Sequence, residues 1–216
     1  KDGSTFCFSC NKLGGARVNP HEKAAHAEVV KRILLPPDAN NDYGAEAVAW
    51  VAQYDVSVAE LIRHNVKWSE KYKQLIFFWY HQEIPSRIGC IQARNFYKGG
   101  KKYYNQGRPS DVLPIYRHVN NSGKRIVITE DVISAIRVSR NEDAMPLLGS
   151  YLSKDKILTF KQCAYSEVVF WLDHDKYAEA VHYGDLIKMI GMRSRVIRTD
   201  LDPKCYSDLD IMRNLE

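Results

Sequence analysis

Three textures of apolar and polar positions follow one another along the chain. From His21 to about Leu35, Ala24, Ala27, Val30, Ile33 and Leu34 recur at helical spacing and Pro36-Pro37 ends the run, which predicts a helix. Further helices are predicted from about Ala45 to Gln53 and from Val58 to His64. From Leu75 to Phe96, aromatic and β-branched residues surround a polar HQEIPS break, the pattern of an antiparallel hairpin. From Lys124 onward, short apolar runs alternate with helix-like segments: RIVIT, EDVISAIRVSR, AMPLLG, VVFWLDHD, KYAEAVHYGDLIKMIG and RVIRTDL. Strands alternating with helices imply βαβ units and a parallel sheet. The expected fold class is α/β, a parallel sheet flanked by helices, preceded by an α+β segment.

The run VVFWLDHD stops abruptly on two aspartates. Val168 to Leu172 reads as a strand buried on both faces, with Asp173 and Asp175 at its carboxyl end. Residues two apart on a strand share a side, so the two carboxylates would crowd unless a hard cation such as magnesium neutralised them. The alternative is a helix N-terminus, where aspartates cap backbone amides at about 1 kcal/mol each. IVITE places Glu130 at another strand's carboxyl end. Alone, Glu130 reads as a first-turn acid that complements a helix dipole. Beside Asp173 and Asp175 it completes three carboxylates at the edge where open parallel sheets bind ligands. Such oxygen donors suit a divalent cation shared with phosphate.

Composition adds modest constraints. The 216 residues, 45% of them hydrophobic, can bury a proper core, which excludes a disordered tail. Lys and Arg exceed Asp and Glu by 31 to 26, a net charge of +5 compatible with a polyanionic partner. Lys98, Lys101 and Lys102 cluster in YKGGKKYYNQG beside Phe96, Tyr97, Tyr103 and Tyr104, rings able to stack unpaired bases. The alternative for these lysines is a solvated hairpin loop. No run approaches the roughly 18 apolar residues of a membrane span, and no charged-then-apolar leader opens the chain, so a soluble protein without a membrane partner is expected. The opening Lys1 is the expected sign of a processed product or a fragment. Five cysteines, an odd number, fit a reducing compartment. Cys7 and Cys10 have the spacing of a metal knuckle, half of a tetrahedral zinc site. His21 and His26 would extend it to a rough two-Cys, two-His set, but read better as surface residues of the first predicted helix. No phosphate loop of the GxxxxGK[ST] type occurs, so no nucleotide-driven motor is expected.

The strand ending in TE, the turn at Gly149-Ser150 and the strand ending in DHD together resemble the toprim domain of primases, topoisomerases and related nucleases. DGSTFCFSC resembles the second half of the zinc ribbon that opens phage primase-helicases and bacterial DnaG primases. The aromatic hairpin, KGGKKYYNQG and LPIYRHVNNSGKRIVITE resemble the basic polymerase subdomain of the same proteins, and DLDPKCYSDLD their closing acidic loop. The resemblance spans nearly the whole chain and is nearest to the primase half of short-tailed bacteriophage primase-helicases. It implies a partial zinc-ribbon knuckle over 1–20, a basic helical and hairpin polymerase subdomain over 21–122, and a toprim domain over 123–216.

By that resemblance the chain is a nucleotidyltransferase, a DNA-directed RNA polymerase that makes primers in phage DNA replication in the bacterial cytoplasm. Its implied partners are single-stranded DNA, nucleoside triphosphates and a replicative helicase. Glu130 matches the toprim glutamate, and Asp173, Asp175 and Asp202 match positions that bind Mg2+ or Mn2+. Lys101 matches a catalytic lysine of the basic subdomain, with Arg94, Lys98 and Lys102 assisting at the nucleotide or nucleic acid. Zn2+ on Cys7 and Cys10 would need further thiolates upstream. A toprim nuclease, or a DNA-binding accessory protein without catalysis, is the alternative. Three departures favour altered activity: Asp131 stands where the family has glycine, Ser134 where it has an acid, and Ala178 where it has glycine. Asp131, next to Glu130, is expected to face another way on a helix.

Overall fold

Ile126, Val127 and Ile128 are wholly buried in succession, which requires a strand covered on both faces. The computed structural model that shows this describes residues 5–7, 12–14, 32–97, 99–119, 124–149 and 151–216. Residues up to Arg32 form one unit and Ile33–Glu216 another. In the first, β1 (Thr5–Cys7) pairs antiparallel with β2 (Lys12–Gly14), Cys7 facing Lys12. Lys12–Gly14 is strand despite the glycines at 14 and 15, because ladder pairing overrides weak local preference. Cys10, His21, His26 and residues 21–31 of the helix expected from His21 to about Leu35 lie outside the described residues. Ile33, expected in that helix's last turn, instead forms an antiparallel bridge with Ile88.

The second unit starts with α1 (Ala45–Ala52) and α2 (Val58–Arg63). Ser57 caps α2, accepting from the Glu60 amide while the Glu60 carboxylate accepts from the Ser57 amide. Four antiparallel strands follow in spatial order: β3 (Lys67–Ser69), β4 (Gln74–Tyr80), β5 (Ile88–Asn95) and β6 (Tyr103–Gly107). The expected hairpin is β4–β5, and β3 and β6 widen it into a sheet. Leu75, Phe77 and Cys90 face the main core from one side, while Ile76, Ile91 and Ala93 pack on the other.

The parallel sheet comprises β7 (Arg125–Thr129), β8 (Asp143–Pro146), β9 (Glu167–Phe170) and β10 (Arg193–Val196), in the order β10-β9-β7-β8. Val127 and Val169 join α3 (Val132–Val138) in the core shared with α1, α2 and the antiparallel sheet. Ile126, Ile128, Val168 and Phe170 point the other way, against α4 (Lys154–Gln162) and α5 (Tyr177–Met189). The terminal helix α6 (Asp208–Leu215) returns to the α3 side, burying Ile211 and Leu215. The segment before β7 is pinned to the edge strand by paired backbone bonds between Tyr116 and Ala144.

The β9 ladder ends at Phe170, earlier than the apolar run. Asp173 then precedes a 3₁₀ turn, His174–Lys176, that contains Asp175. The two aspartates thus leave the strand and do not share a strand face as expected, because the chain turns between them. Among the described residues no helix is long and apolar enough to cross a membrane.

Candidate active site

The helix after β7 leads toward β8, whereas the helix after β9 leads toward β10 on the opposite side. The loops leaving these adjacent strands therefore diverge, opening a crevice at their carboxyl ends. Glu130 and Asp131 leave β7 into this crevice, and Asp173 leaves β9. Asp202 arrives from the segment after β10, where buried Pro203 opens a 3₁₀ turn. That segment is held by the wholly buried Trp171, whose indole donates to Thr199 Oγ1 at 2.7 Å.

One carboxylate oxygen each from Asp131, Asp173 and Asp202 lies within 4.8 Å of the others, a spacing that a metal ion can bridge. Asp131 does not face away, contrary to expectation. It is the N-cap of α3, with extended backbone, so its side chain turns back over the strand ends. Its Oδ1 accepts from the Ile133 and Ser134 amides at 2.9 and 3.1 Å, and its Oδ2 from the Ser134 hydroxyl at 2.7 Å. Ser134, fully buried, is thus a support for Asp131.

Glu130 Oε2 and Asp173 Oδ1 are buried and have no hydrogen-bond partner among the described residues. Burial pushes the Asp173 carboxyl well above its ordinary range, Asp202, Glu130 and Asp131 adding to the effect and Lys204 opposing it. Burial likewise raises Glu130, with Asp175 the next contributor and Lys176 opposing. Asp175 is exposed and acts on Glu130, outside the closer set of three. Buried, unpartnered carboxylate oxygens among like charges fit a hard divalent cation, which prefers oxygen donors. Lys204 Nζ lies 2.9 Å from Asp131 Oδ2 and also bonds Asp202 Oδ2. Burial works to lower this amine, but Asp131 and Asp202 outweigh it and hold the amine above its usual range.

Across the crevice stands one face of the antiparallel sheet. Arg94 is paired in register with Tyr103, and Gln92 with Asn105. A cavity of about 300 Å³ is lined by Trp50, Gln92, Tyr103 and Asn105 on this side and by Glu130 and Asp131 on the other. The Arg94 guanidinium lies 5.1 Å from the Trp50 ring centroid, 5.2 Å from Tyr103 and 5.8 Å from Phe96. Its Nε and Nη1 have no partner among the described residues. Leu148 and Gly149, both at positive φ (60° and 69°), border the same cavity. The leucine stores strain there. Lys101 and Lys102 are exposed on the turn leading into β6, and Lys98 lies outside the described residues.

Lys204, Gln92 and Asn105 are site residues that the sequence does not single out, Tyr103 is one of the expected stacking rings, and Asp131 lies on a different side from the one expected. Asp131 carried a usable signal, an aspartate directly before a helical run. Lys204 carried none, since only the fold brings it to Asp131.

No protein-family model matches the chain, and no curated protein matches it by sequence. Solved structures do. The zinc-binding and RNA polymerase domains of Aquifex aeolicus primase superpose with a TM-score of 0.65 at 10% identity, over 80% of this chain and 55% of that one. This chain thus spans about half the length of that structure. The primase fragment of the bacteriophage T7 primase-helicase gives 0.53 at 16% identity, over 100% of this chain and 91% of that one. T7 primase domains bound to an RNA/DNA hybrid and dTTP, in a complex with the T7 lagging-strand DNA polymerase, give 0.51 at 14% identity, over 98% and 87%. At these identities the likeness is one of fold, and the described residues adopt the fold of DnaG-type primase catalytic cores.

Proposed function

We propose that this chain is the catalytic part of a DNA primase, joining ribonucleotides into short primers on single-stranded DNA by metal-dependent nucleotidyl transfer. One observation carries the reading: Asp131, Asp173 and Asp202 cluster at metal-bridging distance near Glu130, and Glu130 and Asp131 line a cavity together with Tyr103, whose ring is backed by Arg94. Acids alone would suit any metal site. Acids facing a tyrosine ring backed by an arginine suit a phosphate-bearing, base-bearing substrate.

A Mg2+ or Mn2+ ion held by Asp173 and Glu130, with Asp202 beside them, would supply charge neutralisation for the transferring phosphate. Glu130 Oε2, buried and unpartnered, is positioned to take a proton from an attacking hydroxyl. Arg94, packed among the Trp50, Phe96 and Tyr103 rings behind the cavity, adds positive charge that would attract a phosphate. Tyr103 offers a stacking face to a base. Lys101, Lys102 and Lys98 contact the backbone of the template or of the growing strand. The T7 primase domains bound to an RNA/DNA hybrid and dTTP support nucleic acid and triphosphate partners. The T7 primase-helicase supports a helicase partner. Cys7 and Cys10 are proposed as half of a zinc site, and residues 1–20, 21–122 and 123–216 as zinc-ribbon, basic and toprim regions.

The test is incorporation of labelled ribonucleotides on single-stranded DNA with Mg2+ or Mn2+, for wild type, Glu130→Gln and Asp173→Asn. Short products that vanish in both variants are expected. Degradation of labelled DNA in a Glu130-dependent manner would identify a nuclease instead, and DNA binding with no product under either metal would identify an accessory protein.

A further inference from the structure

Asp131 has two oxygens and about four lone-pair directions, and all four are occupied. The Ile133 and Ser134 amides take Oδ1, and the Ser134 hydroxyl and Lys204 Nζ take Oδ2. Lys204 also bonds Asp202 Oδ2, so one ammonium bridges two of the three clustered acids. Its placement is fixed from several sides. Buried Pro203 precedes it in a 3₁₀ turn, its side chain is only 17% exposed, and its Nζ stands 5.8 Å from the centre of the Tyr54 ring. The unpartnered oxygens lie elsewhere, on Glu130 and Asp173.

We propose that Lys204 is a built-in cation occupying the position of a second metal ion, so that the cluster binds one divalent ion on its Glu130–Asp173 side. This rests on reading the cluster as a metal centre. The lysine supplies a fixed positive charge between Asp131 and Asp202, and nucleotidyl transfer here runs on one exchangeable ion and one resident ammonium. Asp131 is then a positioning residue for Lys204 and no metal ligand. The departure of Asp131 and Ser134 from the toprim pattern becomes a coordinated change: serine holds the aspartate, and the aspartate holds the lysine.

The experiment is Mn2+ binding to the whole chain, followed by the electron paramagnetic resonance of free Mn2+, with thermal unfolding in parallel. Wild type is expected to bind one ion per chain, and Asp173→Asn to lose it. Lys204→Met, which frees Asp131 Oδ2 and Asp202 Oδ2, is expected to bind two. It should also unfold at a lower temperature than wild type in chelator and gain more than wild type from added Mn2+. Lys204→Arg, keeping the charge, should bind one ion. Two ions on wild type, or an unchanged single ion on Lys204→Met, would overturn the proposal and leave the metal centre standing. No ion on either protein would instead remove the metal centre itself. The wild-type stoichiometry keeps the test decisive even where Lys204→Met does not fold.

Discussion

At the scale of single residues, Asp131 is saturated with donors while Glu130 and Asp173, a few ångströms off, each bury an oxygen with none. That contrast separates a structural acid from acids held ready for a ligand. Asp173→Asn should therefore do two opposite things. It should cut primer synthesis by about a hundredfold or more, since metal-borne charge stabilisation amounts to several kcal/mol. In chelator it should raise the thermal midpoint by a few degrees, because a like charge leaves the cluster. Parallel assays of primer synthesis and of unfolding check both halves, and a fall in both would mean that Asp173 is a packing residue. That Glu130 and Asp173 follow buried strands was legible in the sequence, because apolar runs that stop on acids are unusual. Asp131 was misread because helical geometry was applied to a residue that caps the helix from outside. Lys204 was invisible because 73 residues separate it from Asp131.

At the scale of elements, one arginine clasps three helical segments. Arg140, just past α3, donates to Glu60 of α2, to Asp55 before it and to Asp208 at the start of α6. Arg137 adds bonds to the Tyr54 and Tyr206 carbonyls and to Asp208. The clasp fixes the α1–α2 layer against the helix that carries Asp131. Arg140→Met should cost about 3 kcal/mol, measured by urea unfolding, because Glu60 is left buried with its charge only partly satisfied. Burial alone would raise Glu60, but the Arg140 bond and the Ser57 donors outweigh it and hold the carboxyl at about 2, against an ordinary 4.5. Its folded-state value is depressed, so its contribution is complete above pH 4.5 and is lost as pH falls toward 2. The acid limb of a stability profile should flatten in Arg140→Met.

Lys156 on α4 is the opposite case. It is 2% exposed, its Nζ has no acceptor among the described residues, and burial lowers its amine from 10.5 to about 8. The unfolded chain binds the proton more tightly than the folded one, so stability should rise between pH 8 and 10.5. Lys156→Met should abolish that rise and stabilise the protein at pH 7 by about 2 to 3 kcal/mol, checked by denaturant unfolding across pH. Most elements were legible, since α1, α2, the β4–β5 hairpin and the alternating strands and helices after Lys124 follow their periodicities. β6 was not legible, because its residues are largely exposed and polar and its order comes from pairing with β5. β3, three residues long, is too short to show a period.

At the scale of the molecule, α3 is packed on both sides, by the parallel sheet and by the layer containing the antiparallel sheet. This shared core sets Glu130 and Asp131, at the end of the parallel sheet, across a cavity from Gln92, Tyr103 and Asn105 of the antiparallel sheet. Neutralising Lys101 and Lys102 together should weaken single-stranded DNA binding evenly across sequences. Each lost phosphate contact should lower the salt dependence by about 0.7 in log–log slope, readable by fluorescence anisotropy. An unchanged slope would place the nucleic acid elsewhere. The account turns on the carboxylates at the divergence of β7 and β9 being a metal centre. Anomalous diffraction from Mn2+-soaked crystals of the whole chain tests that most directly. The account predicts one strong peak, within coordination distance of Asp173 and on the side of Glu130 away from Lys204. No peak in the crevice, or one remote from Asp173, would contradict it.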